Sequence, residues 1–158
     1  MALVRILVDG YSLLHNWPEL APGRPRHSAA AREDLIHVLT QYQDVLGTPI
    51  TIVFDGGGAP AGTPRQPSTR ALEVHYSKTG KTADDVIERV AHRMARFGEV
   101  LVVTNDNGVR DTVLNFDGLA SDCGNFIRSV EAALGGLQQD LKHHNRKELG
   151  RFKEAVKR

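Results

Sequence analysis

Asp9 follows the run Val4–Val8, Asp55 follows Ile50–Phe54, Asp106 lies just past Val100–Val103, and Asp84 and Asp85 come soon after Gly80-Lys81-Thr82. If the three runs are parallel strands, their carboxyl ends collect these acids at one edge of one sheet. Like charges within a few ångströms repel, and in a partly buried site they coexist only with a cation or with raised pKa values. A divalent cation is the economical solution. Oxygen donors with no His or Cys among them suit Mg²⁺ or Mn²⁺ better than zinc. An ion held in this way can activate water and stabilise a leaving oxygen in phosphodiester cleavage. Each Asp taken singly also reads as a turn former or a helix cap; their convergence is what argues for a site.

Helical geometry ranks the adjacent pair. Ala83, Ile87, Val90 and Met94 define a buried face, and at about 100° per residue Asp84 falls at its border, with Glu88 one turn later, while Asp85 turns toward solvent. Asp84 is therefore the inward ligand beside Asp9 and Asp106, and Asp55 is expected at the rim. Lys78, Lys81 and Arg110 are placed to contact phosphate. Tyr11 suits either stacking on a base or packing against its own fold. The segment Tyr76–Thr82 ends in Gly-Lys-Thr like a phosphate-binding loop, but His75 stands where the first glycine of that pattern belongs and two acids open the next helix. A nucleotide cofactor and NTPase chemistry are excluded on that ground. The seven histidines show no metal-ligand spacing.

These residues need strands and helices in alternation to hold them. Leu3–Val8, Ile50–Phe54, Leu72–Tyr76, Glu99–Thr104 and the weaker Leu119–Ser121 read as strands. Helices are expected over Ala29–Leu46, stopped by Gly47 and Pro49, over Ala83 to about Phe97, over Val109–Phe116 and over Asn125–Leu134. Thr82 and Asp85 stand in a capping-box relation. Residues 56–69, rich in Gly and Pro, read as a mobile loop, and Gly135-Gly136 precedes a final polar helix of about 18 residues. Strand–helix alternation predicts an α/β fold with a central, mainly parallel sheet.

A chain of 158 residues, 41% hydrophobic, fits a single domain with a sizeable core. Its apolar stretches are strand-sized, far short of the ~20 residues of a membrane span, so no membrane partner is expected. The single cysteine, Cys123, can form no internal disulfide, which suits a reducing cytoplasm. The net charge of +1 hides an asymmetry: residues 140–158 carry seven Lys or Arg against three acids, a net +4 beside a body of net −3. A polyanionic partner and a solvated terminal helix both fit that pattern.

Read as an ordered set, Ile6-Leu7-Val8-Asp9-Gly10-Tyr11-Ser12, Val53-Phe54-Asp55-Gly56, Tyr76–Glu88 with its Thr-Ala-Asp-Asp core, and Val102-Val103-Thr104-Asn105-Asp106 resemble the YacP-like group of NYN-domain ribonucleases, relatives of PIN-domain nucleases. The resemblance implies a PIN-like three-layer α/β/α sandwich, a nuclease domain over 1–135 with a basic C-terminal helix at 136–158, and metal-dependent endonucleolytic cleavage of RNA. It assigns Asp9, Asp84, Asp85 and Asp106 as catalytic acids, and it implies substrate contacts at Ser12 and Asn105. The family usually carries Asn where this chain has Ser12 and commonly Thr-Ser-Asp where it has Thr104-Asn105-Asp106; a Ser hydroxyl has a shorter reach than an amide. An association with the ribosome is implied by analogy. The competing readings are a non-catalytic RNA- or ribosome-binding module on the same scaffold and a phosphoesterase of small nucleotides; Asp9-Gly10-Tyr11 lacks the second Asp that HAD-type phosphatases use.

The seven basic residues from Lys142 to Arg158 cannot all share one helix face, so they are expected to follow a phosphate backbone without reading bases. Deleting residues 141–158 should weaken RNA binding and flatten its salt dependence, while a minimal RNA at saturating concentration is still cut. An unchanged salt slope, or loss of folding, would assign the segment to packing instead.

Overall fold

The structure, a computed structural model, describes residues 3–56, 69–78 and 80–135. The expected mobile loop, apart from its ends, and the final polar helix lie outside the described residues. Strand β1 (Leu3–Asp9) is followed by helices α1 (Gly10–His15) and α2 (Ala29–Leu46), then by β2 (Ile50–Phe54) and β3 (Leu72–Tyr76). Helix α3 (Ala83–Met94) ends in a 3₁₀ turn (Ala95–Phe97) before β4 (Glu99–Val103), α4 (Asn107–Asn115) and β5 (Leu119–Ser121). The last helix among the described residues, α5, runs over residues 123–135.

All four strand pairings are parallel, in the order β3-β2-β1-β4-β5. A parallel sheet must be covered on both faces, and alternation along each strand divides its residues accordingly. Ile6 and Val8 of β1, Ile50, Ile52 and Phe54 of β2, and Val103 of β4 join one core with Leu13 and Leu14 of α1, Leu35 and Leu39 of α2, and Phe126 and Val130 of α5. Leu7, Val53, Val100 and Val102 face the other way, onto Ala83, Ile87 and Ala91 of α3 and Val109 and Val113 of α4. The result is the three-layer α/β/α sandwich expected from the sequence, with an entirely parallel sheet.

The chain runs outward from β1 through β2 to β3, then crosses back to place β4 on the other side of β1. Strand order therefore reverses at β1, and the crevice beyond the carboxyl ends of β1 and β4 is where ligands bind in sheets of this kind.

Local chemistry explains where the helices start. Ser28 Oγ accepts from Ala31 N at 3.1 Å to open α2, and Gly47, at φ 84°, closes it in the left-handed region. Thr82 and Asp85 form the expected capping box of α3. Three helix starts differ from the sequence reading. Asp9-Gly10 looked like a turn but opens α1, because the Asp9 carboxylate caps it. Helix α4 starts two residues earlier than expected because Asp106 is its cap. Asp122 does the same for α5, accepting from Asn125 N at 2.7 Å.

Gly10 is buried, and a Cβ there would overlap the ring of Phe54, which is itself fully buried between Tyr11 and Tyr76. Gly10→Ala should therefore destabilise the fold by about 1–3 kcal/mol, although Ala is the better helix former. Urea unfolding checks this; an unchanged midpoint would show that the Phe54 ring can yield.

Candidate active site

The starts of α1 and α4 lie directly beyond β1 and β4, and each is capped by one of the acids singled out in the sequence. Asp9 Oδ1 accepts from Ser12 N at 3.3 Å, and Asp106 Oδ1 accepts from Val109 N at 2.9 Å. The second oxygen of each carboxylate makes no hydrogen bond among the described residues. Thr104 Oγ1 accepts from Asp106 N at 3.1 Å, fixing the turn that carries this acid. Asp84 sits in the first turn of α3, whose amino end is set by the Thr82 cap.

A cleft of about 320 Å³ opens between these elements. Asp9, Asp55 and Asp84 line it together with Tyr11, Ser12, His27, Thr82 and Ala83. Burial pushes the Asp9 carboxyl from 3.8 up to about 6, and the charges of Asp84, Asp106 and Asp55 push in the same direction against the Ser12 hydrogen bond. Asp84 is also raised, by burial first and then by Asp106, Glu88, Asp85 and Asp55. Asp9 and Asp84 thus both feel the charges of Asp106 and Asp55, as expected if these acids meet at one edge.

The structure couples these acids without assembling a cage: among the described residues no three His, Cys, Asp or Glu side chains stand close enough to hold one ion. The donor chemistry still fits Mg²⁺, which is held by one or two carboxylates and keeps waters and substrate phosphate oxygens as its other ligands. A cation would relieve both the burial and the repulsion that raise Asp9.

Asp85 has a different surrounding. Its Oδ2 accepts from Thr82 N at 3.2 Å, its side chain is exposed, and these cap hydrogen bonds, first the backbone one, hold its pKa below the ordinary value. Helix geometry anticipated that outward turn. Ser12 lines the cleft, but its hydroxyl is 3.4 Å from Cys123 Sγ. Asn105 Oδ1 accepts from Cys123 N at 2.8 Å, so its amide ties the end of β4 to the start of α5. Lys78 and Lys81 are exposed on the turn before α3. Arg110 is half-buried in the first turn of α4, with its Nε buried and without a hydrogen-bond partner. Asp55 is exposed at the rim and accepts from Ser77 Oγ at 3.2 Å.

Two residues at or beside the cleft escaped the sequence reading. His27 lies 16 positions from Tyr11, with no motif to join them. Arg32 left one signal, since it falls on the buried stripe of α2 with Leu35, Leu39 and Tyr42, where a charge is out of place.

An all-parallel α/β/α sandwich with coupled acids at its switch point is the architecture that the sequence resemblance implied. The sequence matches the family described as YacP-like NYN domain over residues 6–158, and the chain belongs to that family. A Bacillus subtilis (strain 168) protein named uncharacterized protein YacP is 28% identical over 127 residues, covering 80% of this chain and 74% of that one. Crystal structures of Rae1 (YacP) from Bacillus subtilis, one of them a point variant, superpose with TM-scores of 0.75 and 0.73 at 24% identity. They cover 95% and 91% of this chain and 85% of theirs, and they share its fold.

The raised Asp9 pKa has a consequence for stability. Because the folded state holds this proton more tightly than the unfolded state, the contribution is favourable below pH about 4 and is lost as pH rises toward about 6. Asp9→Asn keeps a good helix cap and removes the buried charge. In EDTA it should stabilise the protein above pH 6 by on the order of 1–3 kcal/mol and flatten the fall between pH 4 and 6. Urea unfolding across that range is the check; an Asn variant less stable than wild type at pH 7 would contradict it.

Proposed function

We propose that this protein is an endoribonuclease dependent on Mg²⁺ or Mn²⁺, hydrolysing RNA phosphodiester bonds at the acidic cleft. The observation that supports it most is the partly buried Asp9 carboxyl, pushed up to about 6 beside Asp84, Asp106 and Asp55 at the sheet's switch point. Such an arrangement is costly for folding alone and becomes favourable with a divalent cation. Membership in an NYN-domain family supports RNA as the polymer.

In this reading Asp9 and Asp84 would hold the ion, with Asp106 adding to the acidic field. When bound, the ion supplies an acidified water and neutralises charge on the phosphate and the leaving oxygen. The chain's own groups bind and orient the polymer. Lys78 and Lys81, exposed on the approach to α3, would take phosphates of the strand, as would the half-buried Arg110 in the first turn of α4. The amino end of α3, 12 residues long, adds a positive dipole that offsets repulsion between the acids and an incoming phosphate. Asp85 acts by fixing that helix end through its cap. The basic segment 140–158 suits a partner rich in structured RNA, and the ribosome is the one the resemblance implies. A reducing cytoplasm fits the single cysteine.

Asp84→Asn should lower cleavage of a labelled RNA in Mg²⁺ or Mn²⁺ on the order of 100-fold, with thermal stability retained because relief of repulsion offsets any lost helix-end interaction. Cleavage at the wild-type rate by the folded variant would remove Asp84 from the ion site. A wild type that binds RNA but cuts none with any divalent ion, free or on ribosomes, would favour the non-catalytic binding module.

A further inference from the structure

Besides the acids, two aromatic rings line the cleft. Tyr11 and His27, both lining it, stack with ring centroids 4.1 Å apart at 33°. Behind Tyr11 lies the buried Phe54 ring at 5.0 Å. Beside His27 stands His15, edge-on at 5.3 Å, with the two Nε2 atoms 3.3 Å apart. His27 itself is exposed.

Arg32 locks this wall from below. Its Nη1 donates to Tyr11 Oη at 3.2 Å and to the His27 carbonyl at 2.6 Å. The residue is only 8% exposed, its Nε has no hydrogen-bond partner, and among the described residues no carboxylate stands within ion-pair distance. A buried guanidinium without a counter-ion lowers stability, so this arrangement is not what core packing alone would select. The loop leading to His27 is equally determined: Arg26 donates to the carbonyls of Leu14, Trp17, Leu20, Ala21 and Arg24. An exposed ring fixed so firmly loses little freedom when something flat packs against it.

We propose that the Tyr11–His27 wall is a stacking subsite for one nucleobase of single-stranded RNA, next to the phosphate that the acids address. The inference rests on the nuclease reading for the position of that phosphate, whereas the stacking itself does not need cleavage. Ring faces accept any base, so the subsite favours unpaired RNA over duplex and fixes the register of the strand across the acids. Arg32 is a positioning residue, buried too deeply to meet the phosphate itself.

The test uses the full chain, a short labelled single-stranded RNA, and a set of the same RNA with one abasic site moved along it. His27→Ala should raise the dissociation constant in EDTA, and KM in Mg²⁺, by roughly 10-fold, the effect falling on KM rather than kcat. His27→Phe should restore both, because a ring is what is needed. One abasic position should weaken wild-type binding by a similar factor and weaken His27→Ala no further. Equal affinity of His27→Ala and wild type, failure of Phe to rescue, or additive losses with the abasic RNA would overturn the subsite. If wild type binds in this ring-dependent way but cuts no RNA, the nuclease reading fails and the subsite stands. If it binds no single-stranded RNA, both fail.

Discussion

The carboxyl group of Asp9 is held where the sheet reverses its strand order, half out of water and within the field of three other acids, and most of the molecule's organisation can be traced to that placement. Parallel pairing of β1 with both β2 and β4 brings the ends of three apolar runs to one edge. Full burial of β2 and of Ile6, Leu7 and Val8 in β1 keeps the sheet sandwiched, and the acids stand where these strands leave it. The helices that follow begin at that edge because the acids there cap them. One set of side chains therefore does two things: it ends strands by starting helices, and it concentrates negative charge.

The two roles have different energetic signs. A capping Asp stabilises a helix by about 1 kcal/mol, whereas burial and repulsion at Asp9 oppose ionisation strongly enough to move its pKa to about 6. Asp85 shows the alternative: exposed and engaged by the Thr82 backbone and hydroxyl, it has its pKa lowered. The contrast between neighbours in sequence, Asp84 raised and Asp85 lowered, separates an acid of the cleft from an acid of the helix cap. The rings of Tyr11 and His27 line the same cleft as the acids, and the buried Arg32 guanidinium donates to the Tyr11 hydroxyl.

The fold was readable because it depends on local patterns. Ile50–Phe54 and Leu72–Tyr76 are apolar or β-rich runs bounded by turn residues, and Ala29–Leu46 has helical periodicity with a Gly stop, so their limits agree with the structure. Helix α1 was hidden, since six residues are too few to show a period and Asp-Gly is also a turn signal. The acids were legible for the same reason as the strands they follow. Their neighbours' partners were not: Asn105 accepts from the backbone of Cys123, 18 positions on, and Ser12 pairs with the same cysteine. The ring wall depends on Tyr11, His27 and Arg32 meeting across a loop organised by Arg26, and no spacing rule connects them.

The central claim is that these strand-end acids form one electrostatic unit that a divalent cation completes. Carbon-13 NMR titration of the Asp9 carboxyl, in EDTA and in saturating Mg²⁺, measures this directly. The account predicts titration near 6 without the ion and well below the ordinary carboxylate range with it. An Asp9 that titrates near 3.8 and is indifferent to Mg²⁺ would contradict it.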